Sequence, residues 1–104
     1  MLYHLEFTVG FGADMSQQDL FRIWAEEAKA ALAAKASGAV VDLWKVAGER
    51  RVIAILDLPS PDVLDQISLD LPIMEKMGQH VTIKVSALRR YEDFADDVAA
   101  RLKP

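Results

Sequence analysis

The chain has no cysteine. That removes any disulfide framework, any thiol nucleophile and any Cys-based metal site, and it fits a reducing, cytoplasmic setting. Long apolar runs are missing too: none approaches the roughly 20 residues needed to span a bilayer. The opening Met1-Leu2-Tyr3-His4-Leu5-Glu6 lacks the basic start and unbroken apolar stretch of a signal peptide. No membrane partner is therefore expected. Basic charge is scarce. The net charge is −4, and the only basic doublets are Arg50-Arg51 and Arg89-Arg90. Nucleic acid is excluded as a general partner, because phosphate neutralisation needs a basic surface. There is no internal repeat and no low-complexity tract. What remains is a chain of 104 residues, 52% hydrophobic and 27% charged, which suits one domain over residues 1–104 with one core.

Residues 2–9 alternate. Tyr3, Leu5, Phe7 and Val9 share one face, and Leu2, His4, Glu6 and Thr8 the other, which predicts a strand. Gly10 to Met15 is a loop. Ser16 is a helix N-cap with Asp19 placed to complete a capping box, and the Ala-, Glu- and Lys-rich stretch from Gln17 to about Lys35 predicts a helix ended by Gly38. Ala39 to Val46 and Arg50 to Leu58 predict two strands joined by a short hairpin at Ala47-Gly48-Glu49. Ser60 caps a second helix with Pro61 at its first position, ending near Leu71-Pro72. A short loop containing Gly78 leads to a strand over His80 to Leu88. Tyr91 to Leu102, with Phe94, Val98 and Leu102 at helical spacing, predicts a last helix.

The order β-α-β-β-α-β predicts an α+β fold: a ferredoxin-like antiparallel sheet with its helices on one face. Such a sheet normally alternates apolar and polar residues. The third strand does not, since Val52, Ala54 and Leu56 face one way and Ile53 and Ile55 the other. Helices cover only one of those faces. A second copy of the chain is the expected cover for the other, so a homo-oligomer is predicted.

Several segments together resemble the muconolactone δ-isomerases. They are Met1-Leu2-Tyr3-His4, Asp14-Met15, Gly38, Leu43-Trp44-Lys45-Val46-Ala47-Gly48, Asp57-Leu58-Pro59-Ser60 and Leu71-Pro72-Ile73. The register runs without gaps from about residue 1 to 85. The Leu-Trp-basic-aliphatic-x-Gly segment, followed nine residues later by Asp-x-Pro-Ser, is the most specific piece. The resemblance implies a dimeric α+β barrel built into larger rings, a small-molecule substrate and no cofactor. It also implies an activity, the movement of a C=C bond within an unsaturated lactone by a proton shift. One carboxylate in an apolar pocket that raises its pKa can both remove and return the proton.

Glu27 is the candidate for that carboxylate. Leu20, Ile23, Trp24, Ala28 and Ala31 trace the apolar stripe of the first helix, and Glu27 falls on it. Burying an unpartnered carboxylate is costly, so its place on the stripe asks for a reason. The position matching Glu27 carries the base in the family that the chain resembles. The competing reading is a rim glutamate paired with Lys or Arg.

Departures from the family's pattern fall at the pocket. Where the family has Tyr-Ala-Asn-Tyr, this chain has Arg50-Arg51-Val52-Ile53, so Arg50 and Val52 replace the tyrosine and asparagine that face the lactone. Three readings of Arg50 stay open: binding an anionic substrate or enolate, pairing with Glu27, or simple solvation at the hairpin. Val52 and Trp24 are expected as apolar wall, and Trp44 as a further wall residue for a flat ligand, against the commoner reading of aromatics as core. His4 is a weaker candidate, as proton carrier or substrate contact. His80 has no partner spacing for a metal, and none is predicted. The family's C-terminal His-Pro-Ser is replaced by Arg90-Tyr91-Glu92-Asp93-Phe94 and an acidic helix. Two rival functions share the fold: a cofactor-free monooxygenase acting on aromatic or polyketide compounds, and a non-catalytic small-molecule binder.

Overall fold

The computed structural model describes all residues from Met1 to Pro104. Its strands are β1 (Leu2–Val9), β2 (Val40–Lys45), β3 (Arg51–Asp57) and β4 (Val81–Leu88). Its helices are α1 (Gln17–Ser37), α2 (Pro61–Leu69), α3 (Pro72–Met77) and α4 (Tyr91–Ala100). The strands form one antiparallel sheet in the order β2-β3-β1-β4, the ferredoxin-like arrangement expected from the element order.

Local chemistry sets the element ends. The Ser16 hydroxyl accepts from the Asp19 N–H at 3.1 Å, and the Ser16 N–H donates to the Asp19 carboxylate at 3.0 Å, which completes the capping box. Gly38 ends α1 at φ 91°, a conformation that glycine adopts without penalty. The Ser60 hydroxyl caps α2 through the Val63 N–H at 3.3 Å, with Pro61 in the first turn.

The register places Leu5 beside Ala54 and Val85, and Tyr3 beside Leu56 and Ala87. This inner face buries Tyr3, Leu5, Ala54 and Leu56 with Val40, Leu58 and Leu64. A second cluster joins Val9 and Leu20 to Ile73 and Met77. Those last two belong to α3, where the sequence predicts loop. Ile73 and Met77 are each 1% exposed, the most deeply buried large side chains of the chain. A six-residue helix is too short to show a helical period, so only its packing reveals it.

Strand β2 carries a bulge between Val40 and Asp42. The extra residue reverses the alternation: Val40 and Leu43 both face inward, paired with Leu56 and Ala54, while Trp44 lies beside Ile53.

Candidate active site

Between α1 and the sheet lies an apolar chamber of about 730 Å³, well inside the range of small-molecule pockets. Its origin is readable in the residues. The face of α1 that overlooks the sheet carries Ala25, Ala28, Ala31 and Ala34, whose methyl groups are too short to fill the gap above Leu5, Ala54 and Leu56. The helix is held off the sheet by its flanks. Leu20 packs into the α3 cluster at one end, and Ala34 against the main core at the other.

Glu27 enters this chamber from α1. The side chain is half-buried and takes part in no ion pair. Its one hydrogen bond comes from the Ile73 backbone N–H, which donates to Oε1 at 3.1 Å. Burial raises the pKa of the carboxyl, and the Ile73 N–H offsets part of that rise. Desolvation disfavours the charged form, while a donor to the carboxylate favours it. The rim reading of Glu27, with a Lys or Arg partner, does not hold. Its neighbour Glu26 makes such a pair instead, with Lys76 of α3.

Arg50 also lines the chamber, beside Val52. Its Nε–H donates to the Val9 carbonyl at 3.1 Å, and its guanidinium carbon lies 5.7 Å from the centre of the Phe11 ring. Arg50 is therefore not paired with Glu27, and as a residue it is exposed at the hairpin. One backbone bond and one aromatic face fix it, and its terminal N–H groups make no hydrogen bond. Trp24 lines the same space, with the Lys45 ammonium 6.0 Å from its ring centre.

Four expected residues thus come together: Glu27, Arg50, Val52 and Trp24. Trp44 lines the chamber as well, in register with Ile53 beyond the β2 bulge and 52% exposed. His4 is a correction. It pairs with Ile55 and Ser86 on the opposite sheet face and does not reach the chamber. Strand alternation carries the reason, since Tyr3 and Leu5 point inward and the residue between them must point out. Sequence reasoning missed the Ile73 N–H, Phe11 beneath Arg50, and Lys45 over Trp24. Only Pro72, a proline suited to a first helical position, hinted at α3.

Chemically, the site offers one carboxylate of raised pKa in an apolar space, with one fixed guanidinium also facing that space. That set suits proton transfer to and from carbon, with negative charge held on a carbonyl oxygen.

Comparison with known proteins agrees. The family model described as muconolactone delta-isomerase matches residues 1–93. The muconolactone delta-isomerase of Pseudomonas aeruginosa is 32% identical over 99 residues, covering 93% of this chain and 99% of that protein. Muconolactone delta-isomerase 2 of Acinetobacter lwoffii is 29% identical over 97 residues, covering 93% of this chain and 97% of the relative. A crystal structure of muconolactone isomerase is similar with a TM-score of 0.73 and 28% identity, over 86% of this chain and 90% of that one.

Proposed function

Since this chain belongs to the muconolactone delta-isomerase family and is an isomerase of that kind, we propose that it shifts a C=C bond by proton transfer in a small unsaturated lactone or related cyclic carbonyl compound, with Glu27 as the base. The observation that carries this reading is a carboxylate of raised pKa, free of any cation, inside an apolar chamber. In the first step Glu27 takes a proton from the carbon next to the double bond. The C–H electron pair moves into the conjugated system and onto the carbonyl oxygen, giving a dienolate. In the second step the protonated Glu27 returns the same proton to the far carbon of the allylic unit, and the electrons return to form the new double bond. No atom is gained or lost.

Arg50 orients the substrate or holds the oxygen's charge. Its guanidinium is anchored through Nε, which leaves the terminal N–H groups free for a carboxylate or enolate oxygen. Val52 supplies wall where the family has a hydrogen-bonding asparagine, so the ring that this chain accepts is less polar at that edge.

The non-catalytic alternative calls for a pocket too small for a ring or a Glu27 locked to Arg50, and the chamber's volume and the missing ion pair speak against both. The test is Glu27→Gln, assayed by the ultraviolet change on isomerisation of muconolactone and a panel of unsaturated lactones. A loss of about 10²- to 10⁴-fold in kcat is expected, the usual share of a general base. Retained turnover on a lactone that the wild type converts would end the proposal.

Self-association belongs to the same proposal. Tyr91, Phe94, Val98 and Leu102 of the C-terminal segment are all exposed, as are Val41 and Trp44 of β2. A second copy of the chain would cover both surfaces.

A further inference from the structure

Helix α3 begins without a side-chain cap, since Leu71 stands at its N-cap position. Its first-turn donors can be accounted for one by one. Pro72 has no N–H. The Met74 and Glu75 N–H groups both donate to the Leu71 carbonyl, at 2.9 and 3.0 Å. Only the Ile73 N–H lacks a backbone acceptor, and it donates to Glu27 Oε1 at 3.1 Å. The Ile73 side chain is 1% exposed and wedged among Val9, Leu20 and Met77, so this donor cannot swing away.

On the premise that Glu27 is the base, we infer that the backbone N–H of Ile73 is its positioning group: it pins Oε1 and leaves Oε2 as the single oxygen that takes and returns the proton. Three features support the assignment. A carboxylate on a flexible stem loses rotamer freedom when one oxygen is tied down, and a proton shuttle between two nearby carbons needs a fixed geometry. Proline at the first helical position offers no second donor, so the clamp is single-pointed and the other oxygen keeps its lone pairs for chemistry. The donor also sits on the deepest-buried segment of the chain rather than on a loop, and rigid support is what a first-contact group requires.

The experiment replaces the Pro72–Ile73 amide with an ester in the full chain, by incorporating the α-hydroxy analogue of isoleucine at position 73. Side chain and chain length are kept, and only the donor is lost. The readout is the titration of the Glu27 carboxyl carbon, followed by ¹³C nuclear magnetic resonance and identified by its absence in Glu27→Gln. Loss of the donor is expected to move the midpoint to higher pH, because the charged form loses its one hydrogen bond. The acid limb of kcat/KM on the best lactone of the panel should move with it. An ester at Met74, whose N–H bonds only to the Leu71 carbonyl, should leave the midpoint in place. A midpoint unchanged at position 73, or moved equally by both esters, overturns the positioning role. That failure is distinct from failure of the base itself, which Glu27→Gln reports on its own.

Discussion

Helices α3 and α4 are both short, and they stand on opposite terms with the rest of the molecule. The first has six residues, no side-chain cap, and the two most buried large side chains in the chain. The second has ten residues, an apolar stripe at helical spacing, and no buried residue at all. The contacts of α4 are local: Tyr91 and Phe94 rings 5.7 Å apart, and an ion pair at 2.6 Å from Arg89, just before the helix, to Asp97. Exposed pairs of this sort contribute well under about 1 kcal/mol, and a helix of that length without a docked face is marginal in water. What holds α3 in place is a core and a carboxylate reaching over from α1. Periodicity thus finds α4 and misses α3, although α3 is the one that the site depends on.

The contrast can be broken most forcefully at Met77. Met77→Ala should cost about 2–5 kcal/mol in urea unfolding, as for other core truncations. A cost under about 0.5 kcal/mol, the usual range for surface changes, would mean that α3 is not a structural anchor.

A smaller effect is expected from the cap that Glu27 supplies. Glu27→Ala leaves the Ile73 N–H without an acceptor and should cost about 0.5–2 kcal/mol, the range for lost N-caps. Glu27→Gln, whose amide oxygen still accepts, should stay near the wild type. Equal stability of the two variants would separate Glu27 from α3.

The pH dependence follows from the same side chain. Burial raises the Glu27 pKa, so the native chain holds that proton to higher pH than the unfolded chain does. Its contribution to stability is greatest below the ordinary carboxylate range and declines as pH rises through the raised value. Glu27→Gln removes this titration, so the difference in urea midpoint between wild type and variant should slope across mildly acidic pH, with wild type losing ground as pH rises. If the difference between the two proteins has no slope there, the pKa is not raised.

The smallest change in folding stability, under about 0.5 kcal/mol, is expected for Phe94→Ala in α4. Its effect should fall on assembly instead, as a shift to smaller species in sedimentation velocity. A wild-type chain that sediments as a monomer at every concentration would remove the case for a second copy on that helix.

Much of this was legible before any coordinates. The alternation of Tyr3, Leu5, Phe7 and Val9 sets the inner face of β1, and that same alternation, applied strictly, already turns His4 outward. Ser16 and Gly38 mark the ends of α1 because capping is decided within a few residues. Glu27 stood out as the charged member of an apolar stripe. The register of Trp44 was not legible in the same way. One bulge in β2 reverses the faces beyond it, and a bulge depends on pairing with β3 rather than on β2 alone.

By itself, then, the sequence determined the strands, the two capped helices, the sheet's inner face and the acid that points at it, because those follow from spacing and caps within single segments. Only the tertiary structure decided that α3 exists, that its Ile73 N–H meets Glu27, and that Arg50 is tied to Val9 rather than to the acid. The last two are contacts between segments 46 and 41 residues apart, α3 itself is held by its packing on Val9 and Leu20, and whether such contacts form depends on how well the whole core packs.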